Sequence, residues 1–400
     1  MNITMVLGND FLRPYVDGRV YREARSLVRA GHKVTIVCWA RTITNEILSG
    51  VPAEEEYEGI RVKRVFSPIA PLTSPSSIRI YQHFRAMHAI AKAISKLRTD
   101  ALHCHDFNTL FTLLFLRNFD KPVVYDSHED FINMVDEVVP GPMLWFARKI
   151  ERFMLGKYVD YAISVCEPII QSLKHYGVEN TEMVMNCRDL DDYSSVPQST
   201  ISELRHKLVK KDELMVLYIG SIGNDRGLKD LVEIYRGEDK ILDRSILVLG
   251  GMGYLEDRLK ACIKGMSNVE WVGYVPGRQL VEYNLASDIM VVLFNPAKRS
   301  QRVCLPNKLF EAMSAGKPII VCKGTEAAKL VEKEDCGLIV PYGNRSALKS
   351  AIGSLIEDSN RRAKLGRNGR LAAKRLYNWR VQERRLIGIY NNITQSYNIS

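Results

Sequence analysis

The sequence predicts an α/β fold made of two domains, each built round a parallel sheet. Three observations carry that reading. Short apolar runs alternate with helix-length amphipathic stretches along most of the chain. The rhythm lapses once, between Arg188 and Lys211, and then restarts. The chain has 400 residues, 46% hydrophobic and 26% charged, a globular composition with room for two or three domains of about 150 residues. Disorder, collagen-like repeats and coiled coil are excluded on the same grounds.

The elements follow in order. Ile3–Leu7 reads as a strand, Val20 to Ala30 as a helix, and Val34–Val37 after Gly31 as the next strand, which is the βαβ unit of a parallel sheet. Ala101–His103, Val123–Tyr125, Tyr161–Val165 and Glu182–Met185 continue it. After the polar stretch the strand candidates are Leu214–Ile219, Ile246–Leu249, Val269–Val272, Ile289–Leu293, Pro318–Val321 and Gly337–Val340. The expected domains are 1–190 and 191–378, with 379–400 a C-terminal helix packing back on the first domain.

Lysine and arginine number 56 and aspartate and glutamate 46, a net charge of +10 that suits nucleic acid, an anionic membrane face or a phosphorylated substrate. Nucleic acid is disfavoured, because no basic helix-turn-helix, zinc pattern or aromatic RNA-binding motif accompanies the charge. No apolar run reaches the roughly 18 residues of a spanning helix. Met1–Thr4 lacks the basic start of a signal peptide, so the expected location is the cytoplasm. The eight cysteines are scattered without a C-x-x-C pair and are expected as reduced thiols in or near cores.

In open α/β sheets, ligands sit beyond the carboxyl ends of the strands, which selects the candidate residues. The first turn lacks a G-x-G-x-x-G; Gly18 at a helix start either lets an anion approach backbone N–H groups or shapes a tight loop. His103-Cys104-His105-Asp106 and Asp126-Ser127-His128-Glu129-Asp130 both close first-domain strands. His103 and His105 would need two further ligands to hold a metal, and the sequence places none, so no metal is expected. His128 either contacts a substrate hydroxyl or phosphate or is a structural hydrogen-bonding histidine.

In the second half, Gly220-Ser221-Ile222-Gly223-Asn224-Asp225-Arg226-Gly227 leads from a strand into a helix, where backbone N–H groups and one guanidinium suit a diphosphate. Gly250 to Gly253 follows the next strand and reads as turn geometry. In Leu305–Val321, a proline opens a helix and a glycine closes it before an apolar strand. Glu311 on that helix can accept hydrogen bonds from a ribose diol; the alternative is a Lys308–Glu311 surface pair, three residues apart. Asp189 and Asp191 have the spacing of a magnesium-binding pair but fall in the boundary segment.

The string Phe310-Glu311-Ala312-Met313-Ser314-Ala315-Gly316-Lys317-Pro318, the turn ending in Arg226-Gly227, the Gly250 to Gly253 turn and the Asp126-Ser127-His128 strand end together resemble the retaining GT-B glycosyltransferases of family 4, in the right order over nearly the whole chain. The resemblance implies two Rossmann-like domains with parallel sheets facing a central cleft. The acceptor would bind mainly to the first and a nucleotide-sugar donor, UDP- or GDP-linked, to the second. It implies transfer with retention, no metal and no cofactor beyond the donor itself, in polysaccharide or glycoconjugate biosynthesis. Glu311 would bind the ribose, with Arg226 where the family usually has a lysine at the diphosphate, and Gly220, Ser221 and Lys308 round the donor. His128 would stand near the reacting sugar as the catalytic candidate, with Gly18 in the loop approaching donor and acceptor, and His105 and Asp106 on the acceptor side.

Two departures stand out. The second-domain turn opens Gly220-Ser221 where the family has glycine-arginine, which leaves Arg226 or Lys308 to compensate, and Val303 occupies the place of the glutamate eight residues before Glu311. Between Ser76 and Arg98, apolar residues at helical spacing alternate with basic and aromatic ones. That segment is either an interfacial helix at anionic lipid or a core-facing helix with a solvated basic face. The rival functions are a GT-B sugar-nucleotide epimerase and a non-catalytic nucleotide-sugar or nucleic-acid binder.

Overall fold

The apolar runs of the first half line up as one sheet of a computed structural model, which describes residues 1–42, 50–69, 74–128, 141–210, 212–237 and 239–397. Its strands are β1 (Asn2–Leu7), β2 (Lys33–Thr42), β3 (Glu54–Tyr57), β4 (Ile60–Pro68), β5 (Ala101–His105), β6 (Val123–Ser127), β7 (Tyr161–Ser164) and β8 (Asn180–Met183), in the order β3-β4-β2-β1-β5-β6-β7-β8. All neighbours are parallel except the β3–β4 hairpin at one edge. Strands covered on both faces read as unbroken apolar runs, and Ile3, Met5, Val6, Ala101, Leu102 and Val124 are buried accordingly.

The second sheet contains β9 (Leu214–Ile219), β10 (Ser245–Gly250), β11 (Val269–Trp271), β12 (Ile289–Val292), β13 (Ile319–Cys322) and β14 (Gly337–Val340), ordered β11-β10-β9-β12-β13-β14 and wholly parallel. Counted from β9 this is the doubly wound order, and the direction of winding reverses between β9 and β12. In the first sheet it reverses between β1 and β5. Loops leaving those strands diverge and leave room for a ligand.

Five helices matter to the site and its surroundings: α1 (Gly18–Arg29), α2 (Ser76–Ile94), α3 (Gly141–Tyr158), α4 (Asn307–Ala315) and α5 (Trp379–Ser396). The chain divides into Met1–Val184 with Glu383–Ser400, and Met185–Gln382. The expected division after residue 190 is therefore corrected to residue 184. The reason is local: Met185 N–H donates to Gln382 Oε1 at 3.1 Å and Trp379 N–H to the Arg188 carbonyl at 2.9 Å, so 185–190 belong with the second unit. The expected return to the second-domain boundary at 378 likewise moves to 382. In the last segment, Tyr390 bonds His103 Nδ1 at 2.8 Å and Tyr397 donates to Asp160 at 3.0 Å, within the first unit.

The polar stretch from Arg188 is structured, with helices at Leu190–Ser194 and Gln198–Leu208. The second of these buries no residue, which is why the apolar rhythm lapses there. Asp189 caps the first helix by accepting the Asp191 N–H, and Asp191 takes a hydrogen bond from Arg380, so this pair serves structure. The β3–β4 hairpin went unpredicted, and the strand expected at Glu182–Met185 sits two residues earlier. Of the Ser76–Arg98 segment, Ala86, Met87, Ile90, Ala91 and Ile94 are buried, while Ile80, expected on the same stripe, is exposed. Six of the eight cysteines are buried and none is in a disulfide; Cys262 is exposed and Cys304 half-buried.

Two glycines are fixed by close approach of backbone. Gly220 N–H donates to the Gly250 carbonyl and Ile222 N–H to the Met252 carbonyl, both at 2.9 Å, which lays the loop after β9 along the loop after β10. A Cβ on Gly251 would overlap the Gly220 carbonyl oxygen, and one on Gly253 the Ile222 carbonyl oxygen. Gly253→Ala is expected to cost about 1–3 kcal/mol because backbone on both sides resists the shift. Gly237→Ala, with nothing within 4 Å of the added carbon, should stay within about 0.5 kcal/mol of wild type. Denaturant unfolding of the two variants checks this, and equal losses would refute it.

Candidate functional site

In the first unit, β5 and β6 run side by side with His105 opposite Asp126, so their ends deliver His105, Asp106, Asp126 and His128 to one place. His128 Nε2 bonds Asp126 Oδ2 at 2.8 Å, and its Nδ1 lies 3.6 Å from Asp106. His105 Nδ1 is 3.1 Å from both His128 Nε2 and Asp126 Oδ2. Three of the predicted residues, His105, Asp106 and His128, are thus brought together. Glu129 and Asp130 lie outside the described residues.

Asp126 is fully buried, and sequence reasoning missed what holds it. Arg19, from the first turn of α1, grips it in a fork: Nε to Oδ2 at 2.8 Å and Nη2 to Oδ1 at 2.6 Å. The same guanidinium reaches the Val184 carbonyl at 2.8 Å and Glu23 at 3.0 Å. Burial works against the Asp126 carboxylate, yet Arg19 and His128 more than offset it and hold its pKa well below the usual range. Burial raises the Glu23 carboxyl, against the pull of Arg19. It lowers the His105 imidazole and, more strongly, that of His103. His128 behaves oppositely: burial disfavours its cation, but Asp126 and Asp106 push its pKa up to about 10. A signal for this cluster exists in the sequence, since Arg19, Glu23 and Ser26 ride on the same buried stripe of α1 as Val20, Ala24 and Leu27.

Glu23 and Asp126 are the two further metal-binding groups that the sequence did not place beside His103 and His105, with one ligand atom of each of the four within 4.8 Å of the others. Their chemistry suits an ion-pair network better than a metal. Arg19 already binds both carboxylates, and a divalent cation there would face a buried guanidinium and the His128 cation. Gly18 is exposed at the start of α1, and the next two N–H groups, Arg19 and Val20, are taken by the Asp17 carboxylate at 3.1 and 3.2 Å. That cap narrows the anion-binding reading of Gly18.

In the second unit the loop Gly220–Gly227 leaves β9, and Pro306 and Gly316 bound α4, which carries Lys308 and Glu311. Glu311 is 2% exposed and is bonded by Arg188. The Lys308–Glu311 surface pair is thereby corrected, since Glu311 points inward to an arginine that sequence reasoning did not select. Glu311 in turn raises the Arg188 pKa against the effect of burial.

Lys308 lies over the Tyr218 ring, 4.7 Å from its centroid, and Arg226 over Phe294 at 4.6 Å. Neither makes an ion pair among the described residues. Burial lowers the Lys308 pKa to about 8, with Glu311 opposing. Ser221 is exposed, and its carbonyl accepts the Tyr218 hydroxyl at 2.7 Å, which fixes the ring beneath Lys308. Gly220, Ser221, Arg226, Lys308 and Glu311 therefore gather at the ends of β9 and β12, the reversal point of this sheet. Val303 closes a short helix and is half-buried. An apolar cavity of ≈ 270 Å³ bounded by Leu228, Leu255 and Leu259 shares Ile222, Gly223 and Asn224 with this loop but includes none of Arg226, Lys308 and Glu311.

The sequence matches the family description "Glycosyl transferases group 1" over residues 200–372 and "Glycosyltransferase Family 4" over residues 18–192. D-rhamnosyltransferase WbpZ of Pseudomonas aeruginosa is 25% identical over 307 residues, covering 75% of this chain and 74% of that one. Among solved structures, sucrose-phosphate synthase from Thermosynechococcus elongatus superposes with a TM-score of 0.74 at 19% identity, over 99% of this chain and 100% of that one. Anabaena HepE in complex with UDP and glucose gives 0.72 at 16% identity, over 98% and 100%. At these identities the structures speak to the fold, which is GT-B.

The charge on His128 is testable. Its pKa in the folded chain lies above the ordinary 6.5, so its contribution to stability is complete below about 6.5 and disappears as the pH rises through about 10. Ring NMR signals should show His128 protonated through pH 8. Asp106→Asn, at a half-exposed carboxylate, should lower its midpoint, and Asp126→Asn should lower it further. A wild-type midpoint near 6.5 would refute the assignment.

Proposed function

The chain belongs to the GT-B glycosyltransferases of group 1, family 4, and from that premise we propose that it moves a hexose-type sugar from a UDP- or GDP-linked donor to a saccharide or lipid-linked acceptor with retention of configuration. The grouping of Arg226, Lys308 and Glu311 at the reversal point of the second sheet carries the reading. Two cations without carboxylate partners lie there beside one carboxylate, in the arrangement a nucleoside diphosphate needs.

On this reading Glu311 exchanges Arg188 for the two ribose hydroxyls, accepting a hydrogen bond from each. Arg226 and Lys308 hold the diphosphate, aided by N–H groups of the Gly220–Gly227 loop. When the glycosidic bond to the donor breaks, negative charge grows on the departing phosphate oxygen, and these cations are already in place to stabilise it without a metal. In the first unit His128, charged and held by Asp126, offers a proton-bearing nitrogen to a sugar hydroxyl or to charge developing at the reacting sugar. His105 and Asp106 line the acceptor side of the same strand ends. The acceptor is met at a membrane surface if it is lipid-linked, which suits a basic chain in which no described helix is long and apolar enough to cross a membrane.

Calorimetry with nucleoside diphosphates and bare nucleosides tests the donor site. Removing a carboxylate that accepts two hydroxyl hydrogen bonds costs on the order of 2–4 kcal/mol, so Glu311→Ala should weaken both classes at least roughly tenfold. Arg226→Ala should weaken the diphosphate and leave the nucleoside nearly unchanged. Folded variants that bind like wild type would overturn the assignment. Donor turnover should also persist in EDTA; loss on chelation, restored by magnesium or manganese, would overturn the metal-free step.

A further inference from the structure

Helix α3 presents an outer face that neither donor nor acceptor chemistry requires. Its inner side seats Leu144, Met154 and Leu155 together with Glu151, the only acidic residue of the helix. At about 3.6 residues per turn, the opposite half carries Trp145, Phe146 and Phe153, exposed by 59, 60 and 53%. Interleaved with these rings are four exposed cations, Arg148, Lys149, Arg152 and Lys157. None of the four makes an ion pair among the described residues. Lys149 lies 3.9 Å from the Trp145 ring centroid and Lys157 5.2 Å from that of Phe153.

Large rings in water and cations without counter-ions are both left unsatisfied on this face. One environment satisfies both. At the headgroup level of a bilayer, aromatic rings bury their apolar edges, and lysine and arginine meet anionic phosphates while their stems lie along the acyl boundary. Protein interfaces, in contrast, are depleted of lysine at their centres. With its charges the helix is unable to span and lies in the plane instead.

We propose that the outer face of α3 docks the protein onto a membrane surface rich in anionic lipid, with Trp145, Phe146 and Phe153 as the inserted anchors and the four cations as the headgroup contacts. The helix that the sequence offered either for this role or for a core-facing one is α2. Its exposed Ile78, Ile80 and Tyr81 are confined to its first turns, and the rest of its apolar stripe faces the core. The proposal shares with the proposed function only a membrane-presented acceptor, and vesicle binding is read without any turnover.

The test is co-sedimentation of the whole chain with vesicles of phosphatidylcholine alone and of equal parts phosphatidylcholine and phosphatidylglycerol, at low and high salt. Binding is expected to the mixed vesicles only and to weaken with salt. Lys149→Glu with Arg152→Glu should lower partitioning roughly tenfold or more. Trp145→Ala with Phe153→Ala should remove the binding that survives high salt. All four positions are exposed, so thermal unfolding should match wild type and separate lost docking from lost folding. Absence of binding, or binding indifferent to these changes but abolished by Arg85→Glu with Lys92→Glu on α2, would overturn the proposal. So would a wild-type dimer that the α3 changes dissociate while vesicles remain unbound, since the face would then join two copies of the chain.

Discussion

A carboxylate stripped of water must find a cation, and each unit of this protein is organised round one such carboxylate at the carboxyl end of its sheet. In the first it is Asp126, gripped by Arg19; in the second it is Glu311, bonded by Arg188. Losing one partner of a buried pair costs about 3–5 kcal/mol, because the other is left charged in a poor solvent. The constraint reaches outward from each pair. Arg19 ties α1 to β6 and to the carbonyl of Val184, where the first unit ends. Arg188 holds the residues after Val184 to α4.

The two pairs differ in their access to water, and their roles divide along that difference. Arg19 and Asp126 are 5% and 0% exposed, and a two-point fork with no solvent route has no cheap way to open. It is a fixed support. Its carboxylate, with Asp106, raises the His128 pKa against the opposing charge of Arg19, while burial lowers that of His105 alongside. Arg188 keeps 23% of its side chain in contact with solvent. Water can take over its hydrogen bonds when it leaves Glu311, so this pair suits exchange with a ligand. The same chemistry thus yields a pair closed to water in one unit and a pair open to water in the other.

The strands were legible because burial on both faces leaves little choice but continuous apolar runs, as at Leu214–Ile219 and Ile289–Val292. The β3–β4 hairpin was not. Glu54-Glu55-Glu56 opposes strand formation by propensity, and Arg64 takes an inward position of the alternation begun by Ile60 and Val62. Buried there, it is met by Asp10 at 2.7 Å as well as by Glu55 of the hairpin itself. Asp10 lies 54 residues away, beyond any local pattern. The site shows the same division. Gly220, Lys308 and Glu311 could be picked out as candidates because they sit at a glycine turn and on a helix bounded by proline and glycine. Arg188 could not, because its partner is 123 residues distant and its surroundings read as a polar connection.

Ser221 brings no charge to the loop after β9, and the cations beside that loop are Arg226 and Lys308. A cation held by a carboxylate has spent much of its field, whereas one resting on an aromatic face keeps most of it, the attraction being worth roughly 0.5–2 kcal/mol. Arg226 on Phe294 and Lys308 on Tyr218 are held in the second way. The arrangement depends on Ser221 through its backbone: its carbonyl fixes the Tyr218 hydroxyl, and Tyr218 sets the height of Lys308. It depends equally on Gly251 and Gly253, whose missing side chains let the neighbouring loop pair with the Gly220 backbone and define where the turn lies. The positive charge at this strand end therefore comes from the helix and the turn, and neither cation is ion-paired among the described residues.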